Sequence, residues 1–325
     1  MPFLESMSNG RTEDALAWDG DEYMPSRLQG HDLDGIKLPV SLMQAQRRVC
    51  GNADCVSGWT MPWRNRRRPI FEDQWGCSGR CVLVMVRVAL HREAGDGMVD
   101  ASIAPHRHRV PLGLLMLAQG WITPQQLRHA LESQRQNGTG RIGEWLIAEC
   151  GLEPEQVTRG LSMQWNCPVL SPEGFSPEAM ALVMPGIFVE RFGVLPLRIA
   201  AGRILYLAFE DGLDASVSLA VEQMTGLKCE SGLLNEVQFA AAKTRLLECN
   251  AVEMQLEASS DVDTLAGRIT AILEQKHPVA SRLVRLHQHY WLRLWLESGT
   301  VGKLGKLPVR GEDMMDYIFT AGPQS

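Results

Sequence analysis

The sequence has no long apolar run. Its best candidate, residues 82–90, carries Arg87 and falls well short of the roughly 20 residues that a membrane-spanning helix needs. Nor does it open like a secretory signal: MPFLESMSNGRTED is polar and acidic, without a basic start and an apolar stretch. A cytoplasmic chain without a transmembrane segment is the expectation. Positive charge is not in excess either, since 32 Lys and Arg face 38 Asp and Glu, a net charge of −6. That argues against a molecule-wide nucleic-acid-binding surface but permits a local basic patch. No Ser/His/Asp set, paired-carboxylate motif or GxxxxGK[ST] phosphate loop is recognisable. The nearest approach to the last, VGKLGKLP at 301–308, lacks a hydroxyl residue after Lys and ends on Pro308. The chain is expected not to be an enzyme.

What is present is uneven. Of eight cysteines, Cys50, Cys55, Cys77 and Cys81 share one short window, while Cys150, Cys167, Cys229 and Cys249 lie singly in apolar patterns and read as buried thiols. In a reducing compartment, clustered pairs suggest metal rather than disulfides. Cys50 and Cys55 lie in a Gly/Asn/Asp context suited to a tight knuckle. Cys77-Ser-Gly-Arg-Cys81 opens an expected helix at 82–92, with Ser78 as N-cap. A helix N-terminus favours thiolates. Four of them would close a structural zinc site; the alternative is four unligated core thiols. Knuckle, hairpin and cysteine-bearing helix together resemble a treble-clef zinc finger. Between the pairs, Arg64, Arg66, Arg67 and Arg68 sit near Trp59, Trp63 and Trp75, which could contact phosphates and stack on bases, or simply decorate and pack a hairpin.

The stretch at 111–164 is written twice. PLGLLMLAQGWITPQQLRHALESQ at 111–134 and RIGEWLIAECGLEPEQVTRGLSMQ at 141–164 coincide at Gly113/Gly143, Ala118/Ala148, Pro124/Pro154, Gln126/Gln156 and Gln134/Gln164. Apolar residues pair as well, at Leu112/Ile142, Met116/Leu146, Ile122/Leu152, Leu127/Val157 and Leu131/Leu161. A fixed-period repeat marks one supersecondary unit duplicated. Each copy predicts a short helix, a break near Gly120 or Gly151, and a second helix entered through Thr123-Pro124 or Glu153-Pro154, where proline suits the first turn.

The duplicated pattern of Arg-Leu-Gly, a Gly-apolar break, Leu-x-x-Ala-Leu and a terminal Gln resembles the N-terminal domain of type II secretion and type IV pilus assembly ATPases, the GspE/PilB N-terminal or MshEN domain. The second copy keeps Arg141-Ile142-Gly143, Val157, Leu161 and Gln164. The resemblance runs on through VLPLRIAAGRILYLAFEDGLD to about residue 248. It implies an inner-membrane platform protein of secretion or pilus assembly as a partner. It also implies a ligand, cyclic di-GMP, since some MshEN domains hold half of it in each motif. The site residues so implied are Arg109, Leu112, Gly113, Leu127, Leu131 and Gln134 from the first copy, and Arg141, Ile142, Gly143, Val157, Leu161 and Gln164 from the second. Arg can read guanine acceptors or phosphate, and glycine lets backbone N–H groups approach an anion. The first copy departs from the pattern: Pro111 stands where Arg is expected, Arg109 lies two residues upstream, and the spacer at 135–140 is six residues, one longer than usual. The alternative use of the repeat is to pack two helical pairs and dock a partner.

Downstream, strands at 194–199 and 203–209, a helix at 215–225, a strand at 227–231 and a helix at 235–248 predict a small α/β subdomain. Glu210, Asp211 and Asp214 read as an acidic loop and helix cap. The residues at 261–275 and 279–297 read as two helices split by His277-Pro278, the second amphipathic and basic, fit to pack on its own domain or to touch a membrane or partner. The last residues read as a frayed tail. The expected organisation is a largely disordered tail (1–47, with a short helix near 36–46), a four-cysteine zinc module (48–98), a linker carrying His106 and His108, a GspE N-terminal/MshEN-like domain (105–250) and a helical extension (251–325). The fold class is α+β. The expected function is an adaptor or sensor in secretion or pilus assembly; the alternative is a zinc-containing nucleic-acid-binding regulator using residues 64–68.

Overall fold

The computed structural model describes residues 50–56, 70–96, 109–210, 212–249, 252–259, 261–296 and 311–321. The expected tail, the basic residues 64–68, His106, His108, Asp211 and the segment 301–308 lie outside the described residues. The fold is α+β, and no described helix is long and apolar enough to cross a membrane.

A short hairpin comes first, β1 (Ile70–Phe71) and β2 (Gln74–Trp75), followed by α1 (Gly79–Asp96). Ser78 caps α1 as expected, its hydroxyl accepting from the Cys81 N–H at 3.3 Å. The tandem copies then form two helical hairpins. The first is α2 (Leu112–Ala118) with α3 (Pro124–Asn137); the second is α4 (Ile142–Cys150) with α5 (Pro154–Trp165). The second helix of each opens alike. Gln126 Oε1 accepts from the Thr123 N–H at 2.9 Å, and Gln156 Oε1 accepts from the Glu153 N–H at 2.9 Å. Leu112, Met116, Ile122, Ala130, Leu146, Leu152 and Val157 fill the core between the hairpins.

The α/β subdomain has the expected order. After α6 (Pro177–Met180) and α7 (Gly186–Phe192) come β3 (Val194–Ala200), β4 (Ile204–Phe209), α8 (Ala215–Thr225), β5 (Lys228–Leu233) and α9 (Glu236–Leu247). Ala201 and Gly202 turn β3 into β4 with positive φ of 49° and 63°. β3 and β4 pair antiparallel, and α8 returns the chain so that β5 joins β4 in parallel. Asp214 caps α8, accepting from Ser216 N–H at 2.9 Å and Val217 N–H at 3.2 Å.

The C-terminal extension corrects the expectation of helices. Among the described residues it has one α-helix, α10 (Val262–Lys276), between β6 (Glu253–Ser259) and β7 (Ala280–Leu286). The residues read as a second amphipathic helix are two strands, β7 and β8 (His289–Trp295), paired in register from Ala280↔Trp295 to Leu286↔His289. The supposed frayed end holds β9 (Met314–Ala321), which inserts between β6 and β8 in a four-stranded sheet ordered β6-β9-β8-β7. The physical reason is burial on both faces. Tyr290, Leu292, Leu294, Met315, Tyr317 and Phe319 pack on α1 and α10, while Val284, Leu286, Trp291 and Ile318 join the core of the α/β subdomain. A strand covered on both faces loses its polar alternation, and a continuous apolar run then satisfies a helix or a strand equally. The segments expected as separate zinc and C-terminal modules thus share one core.

Arg293 and Asp316, read from sequence as surface charge and tail, are 2% and 1% exposed. The guanidinium donates to both Asp316 oxygens, at 2.8 and 2.7 Å, and also to the Leu182 and Val183 carbonyls at 2.8 and 3.1 Å. Trp291 Nε1 donates to Asp316 Oδ1 at 2.9 Å. Such a pair is tolerated only with its remaining donors and lone pairs engaged, and removing one partner strands a buried charge at a cost of about 3–5 kcal/mol.

Candidate functional site

Two glycines set the geometry of the tandem segment. A Cβ on Gly113 would stand 2.5 Å from Leu127 Cδ1, and one on Gly143 would stand 2.9 Å from Val157 Cγ1. Each glycine therefore lets the second helix of its own copy close onto the first. The terminal glutamines cross over. Gln134 Nε2 donates to the Gly140 carbonyl at 3.0 Å, just before the second copy; Gln164 Nε2 donates to the Val110 carbonyl at 2.8 Å, just before the first. Exchanging the copies, thirty positions up for Gln134 and thirty down for Gly140, maps one bond onto the other, so the hydrogen bonds are equivalent about a pseudo-two-fold.

The polar surroundings do not follow that symmetry. A cavity of about 250 Å³ lies against the second copy, lined among others by Arg141, Ile142, Gly143, Val157, Leu161 and Gln164, six of the residues expected from the sequence. Leu112 is the sole expected first-copy residue in its lining; Gly113, Leu127, Leu131 and Gln134 do not line it. Arg109 is elsewhere. Its guanidinium stacks 3.1 Å from the centre of the Trp165 ring, beside a second cavity bounded by Leu213, Ser218 and Glu222. Pro111 occupies the N-cap position of α2 that Arg141 occupies in α4. The structure brings one copy's residues to a cavity and not the other's.

The far wall comes from the α/β subdomain, which contributes Glu210, Leu234 and Glu236. Arg141 Nη1 lies 3.9 Å from Glu210 Oε1. In the sequence Glu210 reads as part of an acidic loop and nothing marks Glu236. Both lie more than 60 positions beyond Arg141, and no local pattern links them to it. The lining offers a five-donor cation with Glu210 in ion-pair range of it, a second carboxylate in Glu236, and apolar Ile142, Val157 and Leu161. That suits a flat heterocycle carrying acceptors on one edge and N–H donors on another.

A second constellation lies at the start of α1. The sulfurs of Cys50, Cys55, Cys77 and Cys81 all fall within 4.8 Å of one another, and Cys55–Cys77 and Cys77–Cys81 are both 3.4 Å apart. Burial and the neighbouring sulfurs push the Cys77 thiol up to about 12. Burial raises Cys81 too, but bonds received from Asn52 and Ser78 outweigh it and bring that thiol down to about 6.

No family model matches the chain. Over 136 residues, 41% of its length, it is 32% identical to the type IV pilus assembly ATPase PilB of Myxococcus xanthus (strain DK1622). The chain is similar to part of a pilus assembly ATPase. It spans 24% of that relative's length. Among solved structures, MshE with cyclic di-GMP matches at 26% identity and a TM-score of 0.36, over 42% of this chain and 99% of that one. The N-terminal domain of XpsE matches at 19% identity and a TM-score of 0.30, over 41% of this chain and 92% of that one.

Proposed function

We propose that the chain is a non-enzymatic cytoplasmic sensor or adaptor that binds cyclic di-GMP one-sidedly, in the cavity of its second motif copy, and docks to a secretion or pilus platform protein. The observation that carries the reading is the convergence of Arg141, Ile142, Gly143, Val157, Leu161 and Gln164 on one cavity. At about 250 Å³ it is smaller than the roughly 300–1,000 Å³ usual for ligand pockets, so it suits one guanine nucleotide unit, with the other unit lying outside. Arg141 presents a fork to guanine O6 and N7 or to phosphate. Glu210 and Glu236 accept from guanine N–H donors, which adenine does not offer at the same positions. The similarity to a pilus assembly ATPase supports the docking part.

Calorimetry of the full chain with cyclic di-GMP is the test. Saturable binding that is weaker for cyclic di-AMP is the expected result. Absence of heat up to high micromolar ligand would remove the sensor and leave the adaptor, whose own test is co-purification with a platform protein of a pilus or secretion system.

A further inference from the structure

The four-cysteine cluster lies outside the cavity and plays no part in its chemistry. We propose that Cys50, Cys55, Cys77 and Cys81 bind one zinc ion, and that the ion fastens the segment at 50–56 to α1 and thereby to the C-terminal sheet. A tetrahedron with Zn–S bonds of about 2.3 Å has sulfur–sulfur edges of about 3.8 Å. The observed spacings, 3.4 Å for two pairs and all within 4.8 Å, bracket that edge without any backbone rearrangement. Four sulfurs meeting at one point also differ from two disulfides, which would draw the cluster into separate pairs.

Second-layer contacts are in place. The Cys77 backbone N–H donates to the Cys50 sulfur at 3.4 Å, and the Asn52 amide donates to the Cys81 sulfur at 3.4 Å. Donors aimed at sulfur stabilise thiolate ligands and fix their orientation. The knuckle is itself anchored, since Gly51 N–H donates to the Trp75 carbonyl at 2.8 Å. A Cβ on Gly51 would stand 2.5 Å from Gln74 Oε1, so glycine is what lets the knuckle lie against β2.

From there a chain of contacts runs into the sheet. Glu72 N–H donates to the Ser281 carbonyl at 3.1 Å, and Ser281 Oγ donates to the Ile70 carbonyl at 2.8 Å. On α1, Glu93 accepts from the Arg285 N–H at 3.0 Å, and Val82, Met85, Val86, Ala89 and Leu90, together with Phe71 of β1, share a core with α10 and the sheet. No residue of the segment at 50–56 is fully buried and none contributes to that core, so the ion supplies the hold that apolar burial does not.

The full chain purified under reductant should carry one zinc per molecule by elemental mass spectrometry. Chelator-stripped protein titrated with cobalt(II) should show the intense visible absorption of tetrahedral thiolate coordination. Cys55→Ser should lose the metal, whereas Cys249→Ser should keep it. Should Cys55→Ser fail to fold, Asn52→Ala tests the same geometry, with metal retained but bound about 10–100-fold more weakly. Stripping the metal should raise amide exchange in α1 and β7 while leaving 111–164 unchanged. Iron in place of zinc, sub-stoichiometric metal after reconstitution, or disulfides within the cluster under reducing purification would each overturn the zinc site. Unaltered exchange in α1 and β7 on stripping would overturn the fastening role.

Discussion

The two motif copies share a scaffold and differ in their polar edges. Gly113 and Gly143 admit equivalent apolar side chains, Gln134 and Gln164 reach equivalent carbonyls, and both second helices are entered through proline with a glutamine at the third position. Yet Arg141 faces a cavity, whereas Pro111 replaces its counterpart and Arg109 leaves to stack on Trp165. Duplication copies a packing solution readily because apolar fit constrains both copies together. A binding edge depends on a few individual side chains, and one substitution removes half of it.

That contrast can be broken experimentally. Arg141→Ala should weaken cyclic di-GMP binding most, by ten- to a hundredfold, since a charge-assisted hydrogen bond is worth about 1.5–3 kcal/mol. Arg109→Ala should leave calorimetric affinity unchanged; an equal loss would mean the first copy contributes after all. Next come the glycines. Gly113→Ala and Gly143→Ala should each lower stability in urea by about 1–2 kcal/mol, overpacking outweighing the helix-propensity gain, with Gly113 the worse because its contact is closer. A smaller gain is expected from restoring symmetry: Pro111→Arg should tighten binding up to about tenfold, the worth of one modest bidentate contact. An unchanged dissociation constant would show that the first copy lacks more than its arginine. Smallest of all, Gln134→Ala and Gln164→Ala should each cost about 1 kcal/mol in denaturant midpoint analysis, and by similar amounts. Unequal losses would show that the pseudo-two-fold is not energetically even.

The tandem segment was legible because its signals are local. Thr123-Pro124 and Glu153-Pro154 mark helix starts, and Gly151, at φ 69°, marks the expected break. The α/β subdomain was legible for the same reason, with its turn at residues 200–202 and its Asp214 cap. The C-terminal sheet was not. In β7 and β8 both faces are covered, so Leu283 and Val284, or Trp291 and Leu292, are buried side by side and no period of two survives. Arg293 compounded the error, because a charge in an apolar run reads as a polar face until Asp316 is known to sit beside it. The cavity was half legible. Its near wall is a motif, but Glu210 and Glu236 reach it through tertiary folding alone.

The Arg293–Asp316 fork bears on how force would travel through the molecule. Apolar contact is close-packed but sets no bond direction, so it fixes the seating of two faces less sharply than a directed hydrogen bond does. A planar cation gripping a carboxylate on β9 and two carbonyls at 182–183 behaves like a dowel, resisting shear as well as separation. A tug on the C-terminal sheet is therefore handed to the polypeptide that leads through α7 and β3 into β4, the strand that ends beside Glu210.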